Sequence, residues 1–326
     1  MTAPAAPGRA ERRGGRAVPA EILRQVKRIE LRTRGLVNSR FTGEYHSVFK
    51  GMGMEFAEVR EYQPGDDVRH IDWKITARTD TPYVREANVE RALDTWLLMD
   101  MSASFDWGTA QAAKRDRAAE FATVTGELLT RHGNRIGALM FADQPLEFIP
   151  PGSGRTHLMR MLSKLQASQR QSGRGQTDLA AAIARAETVM KRKSLVLVVS
   201  DFIVPDGWQA ALGRLAQRHE VVGVRLRDPR ESELPDVGLI TLEDPETGEQ
   251  LTINSSDRKL RERFHKAADE QTVRIRDAIR RTGADYLEVS TDQELLPTMV
   301  RFLEARRMAR GGHRQGGRPM SGQARR

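Results

Sequence analysis

Apolar positions change their spacing twice along the chain, and each change marks a different kind of element. From Pro19 to about Leu36, Ile22, Leu23, Val26, Ile29 and Leu31 recur at near-helical spacing, which predicts an amphipathic N-terminal helix opening at a proline. Between Phe41 and Ala92 the apolar runs shorten. They are broken by the turn signals Gln63-Pro64-Gly65-Asp66 and Thr79-Asp80-Thr81-Pro82, predicting a small β-rich lead-in. This stretch holds too little contiguous apolar sequence for a core of its own, so Phe56, Tyr62 and Trp73 are expected to bury against a neighbour.

From Leu93 onward, apolar runs suited to buried parallel strands alternate with helical patterns. Thr95-Trp96-Leu97-Leu98-Met99 ends in Asp100, Arg135–Phe141 follows a helix over roughly Thr109–Arg131, and Leu195–Ser200 ends in Asp201. Val221–Leu226 and Tyr286–Val289 continue the series. Such alternation predicts an α/β fold, a doubly wound and mostly parallel sheet covered on both faces. Leu239–Ile253 reads as a hairpin turning at Pro245-Glu246-Thr247-Gly248, an embellishment near the sheet edge. The stripes Leu158, Met159, Met161, Leu162, Leu165 and Leu295, Leu296, Met299, Val300, Leu303 are core-facing, while Asp257–Arg281 is a charged, Asp-capped helix.

Composition narrows the chemistry. The chain has 326 residues, is 39% hydrophobic and contains no cysteine, which removes disulfides, cysteine nucleophiles, thiolate zinc sites and iron–sulfur clusters. No apolar stretch is long enough for a transmembrane segment, and Met1–Ala20 lacks a signal-peptide core, so a cytoplasmic location is expected. The net charge of +9 is concentrated in Gly- and Arg-rich ends, read as disordered tails over 1–18 and 309–326. Residues 19–92 then form the helix and lead-in, and 93–308 the α/β domain with its hairpin near 239–253. Basic tails of this kind are a weak argument for a nucleic-acid-binding protein, and no specific nucleic acid is expected as a partner.

Oxygen-bearing side chains gather at strand ends. Asp100-Met101-Ser102-Ala103-Ser104 follows one apolar run, Val198-Val199-Ser200-Asp201-Phe202 closes another, and Gly175-Gln176-Thr177-Asp178 precedes a helix. In open α/β sheets ligands bind at the carboxyl ends of strands, where Asp100 and Asp201 are expected to be reachable by water and metal. Taken alone, the first motif also fits a strand end followed by serines that cap a helix. With the other two, hydroxyls and carboxylates without imidazole suit a hard cation, Mg²⁺ first and Mn²⁺ second.

This set resembles the metal-ion-dependent adhesion site (MIDAS) of von Willebrand factor A domains. The resemblance implies that Ser102, Ser104 and Thr177 bind the metal directly, that Asp100 and Asp201 act largely through waters, and that a partner's carboxylate fills the open position. The metal is then a recognition element and the chain is not an enzyme. Phe105 stands where the familiar Asp-x-Ser-x-Ser-Met variant has Met, which leaves the packing under the loop open.

A second set of motifs lies earlier. Gly43-Glu44-Tyr45-His46-Ser47, Gly51-Met52-Gly53-Met54-Glu55-Phe56, Val59 through Arg69, Ile71-Asp72-Trp73-Lys74, Ala77-Arg78-Thr79 and Tyr83-Val84-Arg85-Glu86 resemble the bacterial family known as domain of unknown function 58. Including the N-terminal helix and the metal-site strands, the resemblance spans roughly Ile22–Asp201. Such proteins pair this signature with a von Willebrand A-like domain and are commonly encoded beside MoxR-type AAA+ ATPases. That implies such an ATPase as partner, in chaperone-like maturation or remodelling of an unidentified client protein, engaged through an acidic side chain.

Within the signature, Asp66 and Asp67 read as turn caps. His70, Asp72 and Arg78 read as a structural hydrogen-bonded network, and Glu55, Glu58, Arg60 and Glu61 as a charged platform. The competing enzyme is a Mg²⁺-dependent phosphohydrolase with Asp100 as nucleophile. It is disfavoured because Ser102 replaces the second acid of an Asp-x-Asp pair and no Gly-x-x-x-x-Gly-Lys-Ser/Thr loop is present.

Overall fold

The computed structural model describes residues 59–312, apart from 64–65, 67, 69–70, 72, 80, 86–93, 107, 110–111, 132 and 169–175. The expected N-terminal helix, the first part of the lead-in signature with Glu55 and Glu58, and Asp67, His70 and Asp72 lie outside them, as do residues 1–18 and 313–326. Among the described residues no helix is long and apolar enough to cross a membrane.

In the lead-in, β1 (Val59–Glu61) pairs antiparallel with β2 (Tyr83–Arg85), and α1 (Trp73–Thr79) runs between them. Asp66 closes the Gln63–Asp66 turn by accepting the Gln63 amide at 2.9 Å, as a turn cap does. Val84 is buried and Tyr62 half-buried, but Trp73 is 70% exposed, against expectation: at the first position of a short helix it faces solvent.

The domain that follows is α/β. Strands β3 (Asp94–Asp100), β6 (Arg135–Phe141), β7 (Pro145–Gly152), β8 (Leu195–Ser200), β9 (Glu220–Arg227) and β12 (Asp285–Ser290) form one sheet in the order β12-β9-β8-β3-β6-β7. All neighbours are parallel except β7, which joins β6 antiparallel with two register shifts. The smaller ladders are β4 (Gly108–Thr109) with β5 (Ala112–Ala113), and β10 (Leu239–Glu243) with β11 (Gln250–Asn254). Helices α2 (Lys114–Arg131), α3 (Gly154–Ser168) and α7 (Leu295–Gly312) cover one face of the large sheet. Helices α4 (Leu179–Val189), α5 (Trp208–Arg218) and α6 (Arg258–Arg281) cover the other.

Because side chains alternate along a strand, β3 feeds both cores. Leu97 and Met99 pack with Phe121, Met161 and Met299, whereas Trp96 and Leu98 pack with Ile183, Leu212 and Ile279. Burial on both faces explains why the strand reads as an unbroken apolar run. Three boundaries differ from the sequence reading. Helix α2 begins at Lys114, not near Thr109, since Gly108–Ala113 form the small ladder. Strand β7 is additional, a Pro-containing edge strand whose prolines hide it from periodicity. Helix α7 runs to Gly312, past the expected boundary at Met308.

Candidate metal and acid-binding site

Strands β3 and β8 lie side by side in parallel, with Met99 opposite Val199. From β3 the sheet grows one way through β6 and β7, and from β8 the other way through β9 and β12. The crevice between their carboxyl ends is therefore the topological switch point, where the connecting loops diverge and leave room for a ligand. Both strands deliver an aspartate to it.

Asp100 is 1% and Asp201 3% exposed, so neither carboxylate stands open to water as the sequence suggested. Asp100 accepts the Ser102 amide at 3.0 Å on Oδ1 and the Ser200 hydroxyl at 2.7 Å on Oδ2. Ser102 and Ser104 Oγ lie 2.9 Å apart, and Ser104 donates to Asp201 Oδ2 at 3.2 Å. The other Asp201 oxygen accepts the Ile203 amide at 3.0 Å. Between them Phe202 has φ 58°, a left-handed conformation rare outside glycine, with its amide held by Ser200 Oγ at 3.0 Å. Thr177, also buried, immediately precedes Asp178, which caps α4 through the Ala181 amide and anchors the loop by donating its own amide to Ala142 O beyond β6.

Four of the five residues expected to form the site are thus joined in one hydrogen-bonded chain, Ser102 reaching Asp100 through its amide. Thr177 meets a residue that the sequence did not point to. Its amide and hydroxyl donate to the two oxygens of Glu246, at 3.3 and 3.1 Å, and Glu246 sits at the tip of the β10–β11 hairpin. The hairpin, read as an edge embellishment, reaches the site itself. Among the described residues no three acidic or imidazole side chains form a metal cage, so the donor set depends on hydroxyls.

A second unanticipated residue is Lys114, 1% exposed at the start of α2. Its ammonium lies 2.9 Å from Asp201 Oδ2, 2.5 Å from Glu231 Oε1 and 5.6 Å from the centre of the Phe105 ring. Phe105 is buried beneath the loop, so the residue that replaces Met supplies both packing and an aromatic face for this cation. Lys114 was detectable in principle, because it precedes the buried Ala118 and Phe121 by four and seven residues on one helical face.

The electrostatics mark Asp100 as the strained member. Burial raises its pKa first and the Asp201 charge second; the hydrogen bonds from Ser102 and Ser200 oppose them, leaving it pushed up to about 7. Glu246 is also raised, by burial first, against the stabilising Thr177 donors and with the charges of Asp201 and Asp244 adding to it. For Lys114, burial alone favours the neutral amine, but Asp201 and Glu231 outweigh it and hold the ammonium above its ordinary pKa. Beside the site lies a cleft of about 510 Å³ lined by Gln176, Phe202, Ile203, Trp208, Arg274 and Arg281. Both arginines are exposed and pair with no carboxylate among the described residues.

The family model described as protein of unknown function DUF58 matches residues 58–274. The chain belongs to this family. This DUF58 chain is 38% identical over 289 residues to the uncharacterized protein Rv1480 of Mycobacterium tuberculosis, covering 88% of the chain and 91% of that relative. The same figures hold for Mb1516 of Mycobacterium bovis. Among solved structures, similarity extends to the conserved hypothetical protein BatB of Bacteroides thetaiotaomicron, at 17% identity and TM-score 0.46, covering 67% of this chain and all of that one (100%). It extends also to the manganese-loaded TRAP protein of Plasmodium vivax, at 21% identity and TM-score 0.32, over 40% of this chain and 57% of that one. The strand order, rather than these likenesses, defines the fold.

Proposed function

We propose that this DUF58 chain is a non-enzymatic protein-interaction module in which Mg²⁺, or Mn²⁺, held by Asp100, Ser102, Ser104, Thr177 and Asp201, grips an acidic side chain of a partner. The observation that carries this reading is a buried aspartate at the switch point, linked to serine hydroxyls and raised to about 7 by burial and a second carboxylate. A site of that charge and donor type suits a hard divalent cation. The residues fit Mg²⁺, which when bound supplies an electrophilic position for a foreign carboxylate. Ser200 and Ser102 orient Asp100, Lys114 and Ser104 orient Asp201, and the flanking cleft with Arg274 and Arg281 suits further acidic residues of the partner.

The phosphohydrolase alternative asks Asp100 to attack in line as a nucleophile. Both of its oxygens accept hydrogen bonds and the residue is buried, an arrangement that positions a carboxylate rather than exposing it. The proposed partner is a MoxR-type AAA+ ATPase, acting with this chain on a client protein. The test is calorimetric titration of a MoxR-type ATPase from the same bacterium with wild type, Asp100→Asn and Thr177→Ala, each in Mg²⁺ and in EDTA. Binding by wild type in Mg²⁺ alone supports the reading; equal affinity in all six titrations overturns it.

A further inference from the structure

We propose that the β10–β11 hairpin is the chain's own occupant of the acid-binding position, with Glu246 holding the Thr177 corner until a partner's carboxylate displaces it; this rests on the metal-dependent reading above. The Glu246 carboxylate takes both donors of Thr177, the hydroxyl expected to bind metal and the amide beside it, from a residue sixty-nine positions away. A carboxylate is also the group that a partner is expected to bring.

Among the described residues, strands β10 and β11 pair only with each other, and their residues are almost all exposed, Leu239 at 76% and Leu251 at 63%. The apolar face of this arm, Ile240 and Leu242 opposite Ile253 and Leu251, is half-buried at the isoleucines and exposed at the leucines, so it does not fix the arm to the domain along its whole length. At the base it is tied through Ser255, which bonds Gly238 O and the Val237 amide, and through Arg261, which bonds Ser255 O and pairs with Asp236. The bonds from Thr177 to Glu246 hold the far end.

The tip is built to aim this side chain. Asp244 Oδ1 accepts the Glu246 amide at 2.8 Å, the Gly248 amide closes on Asp244 O at 2.7 Å, and Gly248 has φ 75°, the left-handed turn position that favours glycine. A rigid tip on an arm that is otherwise unsupported separates two states, docked and released, without remodelling the sheet.

The experiment is hydrogen exchange of the tip amides, residues 244–249, in the full chain with and without Mg²⁺, with Mg²⁺ affinity measured by calorimetry. Wild type, Asp100→Asn, Glu246→Gln and Glu246→Ala are compared. Mg²⁺ is expected to slow tip exchange in wild type and in neither Glu246 variant, and both variants are expected to bind the ATPase about tenfold more tightly, as for a competitor docked roughly nine-tenths of the time. Glutamine keeps a neutral acceptor for Thr177, so a purely structural contact predicts that Gln behaves as wild type and only Ala differs, which overturns the proposal. Mg²⁺ binding with unchanged tip exchange also overturns it while leaving the proposed function standing. Absence of Mg²⁺ binding to wild type instead refutes the metal-dependent function, and with it this inference.

Discussion

Replacing Asp100 with Asn removes a buried negative charge while keeping the shape of the side chain and an acceptor for the Ser102 amide. Alanine is the poorer choice, because Asp100 is buried and Ser200 would lose its acceptor. In EDTA the wild-type carboxyl titrates near 7 in the folded chain against an ordinary 3.8. Between those values the folded state binds more protons than the unfolded state, so this group's contribution to stability falls as pH rises from about 4 to about 7. A difference of about three pKa units corresponds to a loss on the order of 4 kcal/mol across that window. Asparagine does not titrate, so Asp100→Asn lacks this component and becomes the more stable protein in EDTA at pH 8. Saturating Mg²⁺ narrows the gap: at a hundred times its Kd the ion stabilises wild type by about 2.7 kcal/mol, and the variant by much less. The assay is urea unfolding at pH 5, 6, 7 and 8, with EDTA and with Mg²⁺. The reasoning is refuted if the stability difference between the two proteins in EDTA is the same at every pH.

Three further outcomes follow from the packing. Lys114→Met leaves Asp201 and Glu231 without their shared cation and is expected to cost about 3–5 kcal/mol in EDTA by urea unfolding, and less in Mg²⁺; no loss would show that the pair is not structural. Gly137→Ala places a methyl 2.8 Å from Ile149 O and 2.9 Å from Pro151 N, both backbone atoms of the edge strand, so it should cost about 1–3 kcal/mol by the same measurement. His219 is buried with neither ring nitrogen bonded among the described residues, and burial first, then Arg218, lowers its pKa below the ordinary 6.5. The unfolded chain therefore takes up that proton first on acidification, stability falls as pH drops below about 6.5, and His219→Phe should make the fall between pH 7.5 and 5.5 shallower in thermal melts.

What the sequence made legible follows the range of the interactions involved. The strands ending in Asp100 and Asp201 show as apolar runs because both sheet faces are covered, so each residue of the run is buried whichever way it points. Gly175-Gln176-Thr177-Asp178 shows as a loop before a helix, which places Thr177 at its start, and the structure adds that Asp178 caps that helix. Lys114 was hidden because a lysine in the first turn of a charged helix looks solvated, and only its spacing to Ala118 and Phe121 hints otherwise. Glu246 was hidden more deeply. Its turn is encoded locally by Asp244 and Gly248, but its landing point depends on how the arm leaves the sheet after β9, which no local pattern states. Strand β7 was lost for the converse reason, since Pro150 and Pro151 break an apolar pattern that an edge strand tolerates.

The arrangement of Lys114 bears on whether the site needs a metal at all, because a buried ammonium is itself a cation. Its position argues against that substitution. Lys114 is shared between Asp201 and Glu231, and Glu231 is fixed in turn by accepting the Asp228 amide at 3.1 Å, while Asp228 accepts the Thr291 hydroxyl at 2.6 Å. The ammonium is thereby held to the β9 side of Asp201. On the other side, Asp100 receives only neutral donors among the described residues, and the Asp201 charge still helps to raise its pKa although Lys114 is bonded to Asp201. The lysine thus neutralises one aspartate and leaves the other unanswered. A proton can answer Asp100 at low pH; in the proposed function a small divalent ion beside Ser102 and Ser104 would do so at neutral pH without displacing Lys114. Because the remaining donors are hydroxyls, such an ion would keep most of its charge for a carboxylate, and the chain's own Glu246 already lies at Thr177 to supply one.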